Sequence, residues 1–172
     1  MPKSSMTMTQ PSSLGKGLLF WILLAIGLIV LDQVTKLYFE HNFAFQERRN
    51  ILPFFDFILV YNTGAAFSFL ADAGGWQHWF FIGLGIAAVL FILYQLRHHQ
   101  QDSLYCFSLT LIMAGAIGNL IDRVLYGHVI DFLLFYWNNW YFPAFNLADC
   151  FITVGAALVI IQEIFMRKKD KP

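Results

Sequence analysis

Four long apolar runs constrain this chain more than any other feature. They cover about 18–38, 76–96, 104–125 and 145–166. Each is close to the roughly 20 residues a helix needs to cross about 30 Å of hydrocarbon. A lone span must satisfy its own backbone groups, which makes helices the default. Charged residues are 13% of the 172, against about 25% in an ordinary soluble domain, and the mean hydropathy is +0.58. The expected fold is an all-α membrane protein: four transmembrane helices, a small extracytoplasmic β-like segment and a loop helix.

Residues 1–15 read as a disordered cytoplasmic tail, 16–169 as a single four-helix domain, and 170–172 as a cytoplasmic end. Lys16 and the apolar core after it resemble a signal peptide. However, the run passes into Asp32-Gln33-Val34-Thr35-Lys36 without a small-residue cleavage site. Lys3, Lys16, Arg97, Arg167, Lys168, Lys169 and Lys171 fall on one side of the spans. Lys36, Arg48, Arg49 and Arg123 fall on the other, so both termini are expected in the cytoplasm. The outer segment Ile51 to Tyr61 is rich in aromatic and β-branched residues and reads as strand. The segment His128 to Pro143 carries Trp137, Trp140 and Tyr141, which suit a membrane interface.

Acids inside such runs are expensive and mark function. Asp32 lies about 24 Å past Lys16, Asp122 about 27 Å past Leu104, and Asp149 about 25 Å before Met166, at ~1.5 Å per residue. All three reach the outer boundary, and Asp131 follows close after the third span. Asn119, Asp122 and Arg123 share a helix face, as do Asn146, Asp149 and Thr153. Asp32 with Lys36 reads more simply as an ion pair at the interface, and Asp122 as a helix anchor partnered by Arg123. Asn62 in Asn62-Thr63-Gly64 suits a turn. Asp131 and Asp149 instead stand bare in apolar sequence, where a carboxyl must find a partner or stay protonated.

Other chemistries have little support. The five histidines are scattered and indicate no metal site, and Cys106 with Cys150 indicates no disulfide framework. A formal net charge of zero gives no reason to expect nucleic acid. The alternative class is a transporter or proton relay built on depth-matched acids. Such proteins more often carry midplane sites and internal repeats, which this sequence lacks.

Five stretches together resemble the lipoprotein signal peptidase (signal peptidase II) family. They are Asp32-Gln33-Val34-Thr35-Lys36, Asn62-Thr63-Gly64-Ala65-Ala66-Phe67, Gly118-Asn119-Leu120-Ile121-Asp122-Arg123, Val129-Ile130-Asp131-Phe132 and Phe145-Asn146-Leu147-Ala148-Asp149. The resemblance spans about 16–169, with Ala114 a minor departure where the family often has glycine. It implies an aspartyl endopeptidase of the bacterial inner membrane, with its site near the periplasmic face and no cofactor. Its catalytic dyad would fall on Asp131 and Asp149. Asp32, Lys36, Asn62, Gly64, Asn119, Asp122, Arg123 and Asn146 would support the dyad or bind substrate. The implied partners are lipidated prolipoproteins, membrane lipid and globomycin-like inhibitors. Cleavage would fall just before a diacylglyceryl-modified cysteine.

Overall fold

The computed structural model describes residues 14–64 and 75–169. Expectations for 1–13, for 170–172 and for Ala65-Ala66-Phe67 lie outside the described residues. Helices α1 (Leu14–Asn42), α2 (Trp76–His98), α3 (Ser103–Tyr126) and α4 (Leu147–Lys169) occupy the four apolar runs. All four are long and apolar enough to cross a membrane. Strands β1 (Arg48–Leu52) and β2 (Phe55–Asn62) lie between α1 and α2, while β3 (Val129–Trp137) and β4 (Trp140–Tyr141) lie between α3 and α4. The sheet order is β1-β2-β3-β4, with each neighbouring pair antiparallel.

Helix α3 is the hub. It packs against each of the other three helices. More than half of its most apolar window is buried (56%), against 17% or less in the others. Small residues allow the close approach to α4. A Cβ on Gly115 would collide with the Ala148 carbonyl, and one on Gly155 would lie 2.6 Å from Ser108 O. Asp102 caps the start of α3 by accepting from Tyr105 N at 3.0 Å. Gly127 ends it in the left-handed region at φ 80°.

Helix α1 runs four residues past its expected end. Its last turns carry Phe39 and Phe43, buried against Leu59, Ile130 and Phe132 of the sheet. The Phe39 and Phe132 rings stack at 4.3 Å. That burial against the sheet rewards the extra turn. Among the described residues no loop helix is present, and in the second outer segment most of 128–143 is strand. Residues 129–137 supply side chains to two faces at a period of two, and β2 offers them an open edge.

Candidate active site

A buried ion cluster joins α1 to α3. Lys36 Nζ has three hydrogens and three acceptors: Asp32 Oδ2, Asp122 Oδ2 and Asn119 Oδ1, each at 2.9 Å. Lys36 is only 1% exposed, so these bonds replace water entirely. Gln33 Nε2 adds a donor to Asp122 Oδ1 at 2.9 Å and another to Gly118 O at 3.1 Å. Asp32 Oδ1 accepts from Ala148 N at 2.9 Å. It thereby satisfies one of the free N–H groups in the first turn of α4. Gly118 lies against the Asp32 carboxylate so closely that any Cβ there would strike it.

The Asp32–Lys36 pair is present and fully buried inside the protein. One expectation changes here. Asp122 is partnered by Lys36, Gln33 and Ile130 N, not by Arg123. Consecutive residues on a helix point away from each other, so Asp122 faces α1 while Arg123 faces the cleft.

Strand pairing places the first of the two bare acids. Val60 lies opposite Asp131 and Asn62 opposite Val129. Asn62 Nδ2 reaches diagonally to Asp131 Oδ2 at 3.1 Å. Ile130 and Phe132 point into the sheet's apolar cluster. Asp131, between them, turns to the opposite face and is 2% exposed. A short bridge then fixes the start of α4. Phe145 N donates to Leu133 O at 3.0 Å, and Leu133 N donates to Phe145 O at 2.8 Å. Asn146 consequently emerges beside Asp131, and its Nδ2 donates to Asp131 Oδ1 at 2.7 Å.

The second acid follows from a helix cap. Asn146 Oδ1 accepts from Asp149 N at 2.9 Å, while Asp149 Oδ2 accepts from Asn146 N at 3.2 Å. This reciprocal pattern is a capping box. It fixes the Asp149 rotamer with one carboxylate oxygen, and the other accepts from Asn119 Nδ2 at 2.8 Å. Asn146 therefore holds both acids, one through its side chain and one through its backbone.

Asp149, Asn119, Arg123 and Asn62 line a cavity of about 590 Å³, whose remaining wall is largely apolar and runs from Phe142 to Phe145 and along α4 to Val154. Arg123 Nη2 donates to Gly64 O at 3.0 Å, and Gly64 N donates to Asn62 Oδ1 at 3.0 Å. These bonds tie the end of β2 over the cleft. Burial, reinforced by the nearby Asp149 charge, pushes the Asp131 carboxyl up to about 7.

All ten singled-out residues fall in this one region: Asp32, Lys36, Asn62, Gly64, Asn119, Asp122, Arg123, Asp131, Asn146 and Asp149. They divide into an inner ion cluster and an outer pair of acids joined by Asn119. The sequence reading missed Gln33 as a member of the cluster. Its signal was a polar residue beside Asp32 inside an apolar run. It also missed the capping box, legible as Asn-x-x-Asp ahead of the last apolar run.

Four helices long and apolar enough to cross a membrane, with a small sheet beside a buried acid and a second acid that lines a cavity, define the class: α-helical proteins that hold two acids where the sheet meets the bundle. A family model described as signal peptidase (SPase) II matches residues 24–165, and the chain belongs to that family. Membership makes it a protease. Among relatives, a lipoprotein signal peptidase of Cupriavidus necator is 55% identical over 146 residues, covering 85% of this chain and 83% of that protein. One of Paraburkholderia phymatum is 52% identical over 160 residues, covering 93% and 95%. A solved structure described as a bacterial membrane enzyme superposes with a TM-score of 0.80 at 30% identity, covering 95% of this chain and 96% of that one.

Proposed function

We propose that this chain is an aspartyl endopeptidase that removes the signal peptide from diacylglyceryl-modified prolipoproteins, cutting just before the lipidated cysteine. The single observation that carries the reading is Asn146 bonding both the buried Asp131 and Asp149, which lines a largely apolar cavity. Asp149 lines the cavity and accepts two N–H donors, which suits a carboxylate that takes a proton from attacking water. Asp131 is buried and keeps its proton towards neutral pH, which suits the acid that protonates the scissile carbonyl oxygen. The tetrahedral intermediate then collapses as a proton passes from the pair to the leaving cysteine nitrogen. Water is the nucleophile, so no covalent enzyme intermediate forms. Arg123 and Asn62 face the cleft with donors that suit the substrate backbone.

The four helices span the bacterial inner membrane with both termini in the cytoplasm and the site near the periplasmic face. Residues 16–169 act as one domain, with 1–15 and 170–172 as tails. Acyl chains of the substrate remain in lipid beside the apolar wall of the cavity. A globomycin-like cyclic peptide would occupy the same cleft. The test is purified protein in detergent with a lipidated precursor. Release of the signal peptide, blocked by globomycin, is expected. An intact precursor beside active wild-type material from a relative overturns the reading.

A further inference from the structure

Lys36 lies one residue removed from the acid pair, and its bonding pattern reaches that pair in a directed way. A lysine ammonium only donates, so the atom of Asn119 that faces it is an oxygen. The same Oδ1 accepts from Asn146 Nδ2 at 3.1 Å. With its oxygen held from two sides, Asn119 presents Nδ2 to Asp149 Oδ1 at 2.8 Å. An unheld amide would be free to turn over and set its oxygen against the carboxylate.

We infer that Lys36 is a positioning residue for catalysis, which locks the Asn119 amide so that Asn119 donates to Asp149, and is more than a tie between α1 and α3. The inference rests on Asp149 being the water-activating acid. The charged and titratable groups around Asn119 are Asp32 and Lys36 from α1, Asp122 and Arg123 from α3, Asp131 from β3, and Asp149 with Cys150 from α4. Lys36→Met alone would strand two buried acids. The informative variant is therefore Lys36→Met with Asp122→Asn, which removes one acid and one base together. The amide oxygen introduced at position 122 would still accept from Ile130 N.

The experiment measures kcat, KM and the pH profile of kcat/KM per folded enzyme on a lipidated precursor. The expected result is a fall in kcat of about tenfold or more with KM little changed, from loss of a donor to a charged acceptor. The acid limb of the profile moves up by about one unit. A wild-type profile per folded enzyme overturns the inference. If the double variant does not fold, Asn119→Asp decides. It keeps the oxygen that accepts from Lys36 and Asn146 and puts a carboxylate oxygen in place of the N–H donor to Asp149. Wild-type kcat and an unmoved acid limb in folded Asn119→Asp overturn the inference, whereas loss of kcat with the limb raised supports it. Asp131→Asn and Asp149→Asn run alongside. If those two remain active, the acid-pair reading itself fails. If they are dead while the Lys36 variant keeps its profile, the positioning role alone fails.

Discussion

The side-chain amide of Asn146 donates to Asp131 Oδ1 at 2.7 Å, across the junction between a strand and the first turn of a helix. The same residue caps α4 with its carbonyl oxygen and bonds Asp149 with its backbone. Helix initiation and the spacing of the two acids are thus a single arrangement. Asn146→Ala is expected to lower both activity and Tm, because it removes an N-cap contributing about 1 kcal/mol and the donor to Asp131. Cleavage assays and melting curves on that variant check both effects.

Asp131→Asn and Asp149→Asn are near-isosteric and keep one of the two accepting oxygens of each carboxylate. Each is expected to reduce turnover by about a thousandfold or more, and the double variant by little beyond that, because groups acting as a unit are not additive. Thermal melting should stay near that of the parent. Peptide-release assays and melting curves on all three variants check this, and substantial cleavage by Asp149→Asn would remove it from the mechanism.

Arg123 and Asp122 are adjacent in sequence but should behave differently. Asp122→Ala takes one of two carboxylate partners from buried Lys36 and leaves the buried Ile130 N without its acceptor, and a loss of about 3 kcal/mol is expected. Arg123→Ala frees the Gly64 carbonyl at the cleft edge, so activity should fall with a much smaller change in Tm. Equal destabilisation of the two variants would contradict the partners described above.

Gly118→Ala is expected to lower Tm by several degrees, since the new methyl meets the Asp32 carboxylate where α1, α3 and α4 converge. Gly83→Ala is the control, because nothing lies within 4 Å of a Cβ there. Its melting temperature should be unchanged or slightly higher, since alanine is the better helix former.

The raised Asp131 value predicts two pH effects. Between about 3.8 and about 7 the folded protein binds a proton that the unfolded chain has released. Stability from this group is therefore greatest at low pH and falls as pH rises through about 7. Asp131→Asn should flatten that part of the pH–stability curve. Peptide release should also decline above about 7, as the acid that protonates the carbonyl oxygen is lost. A rate that keeps climbing to high pH would exclude this assignment.

The sequence by itself determined the four helices, because apolar runs of roughly 20 residues have few other folds open to them. It also determined that the acids share a level, since helical rise converts residue number into depth. The pairing of those acids was decided only by tertiary structure. Asp122 turned from its neighbour Arg123 to Lys36 on another helix, because buried charges bond with whatever lies across the helix interface. Asp131 and Asp149 came to share Asn146 as a partner because the β2–β3 register and the Leu133–Phe145 bridge set that residue between them. Neither contact leaves a periodic trace in the chain. Hydrophobic periodicity records which face of an element is buried, whereas a polar contact between distant segments depends on the rotation and register of both.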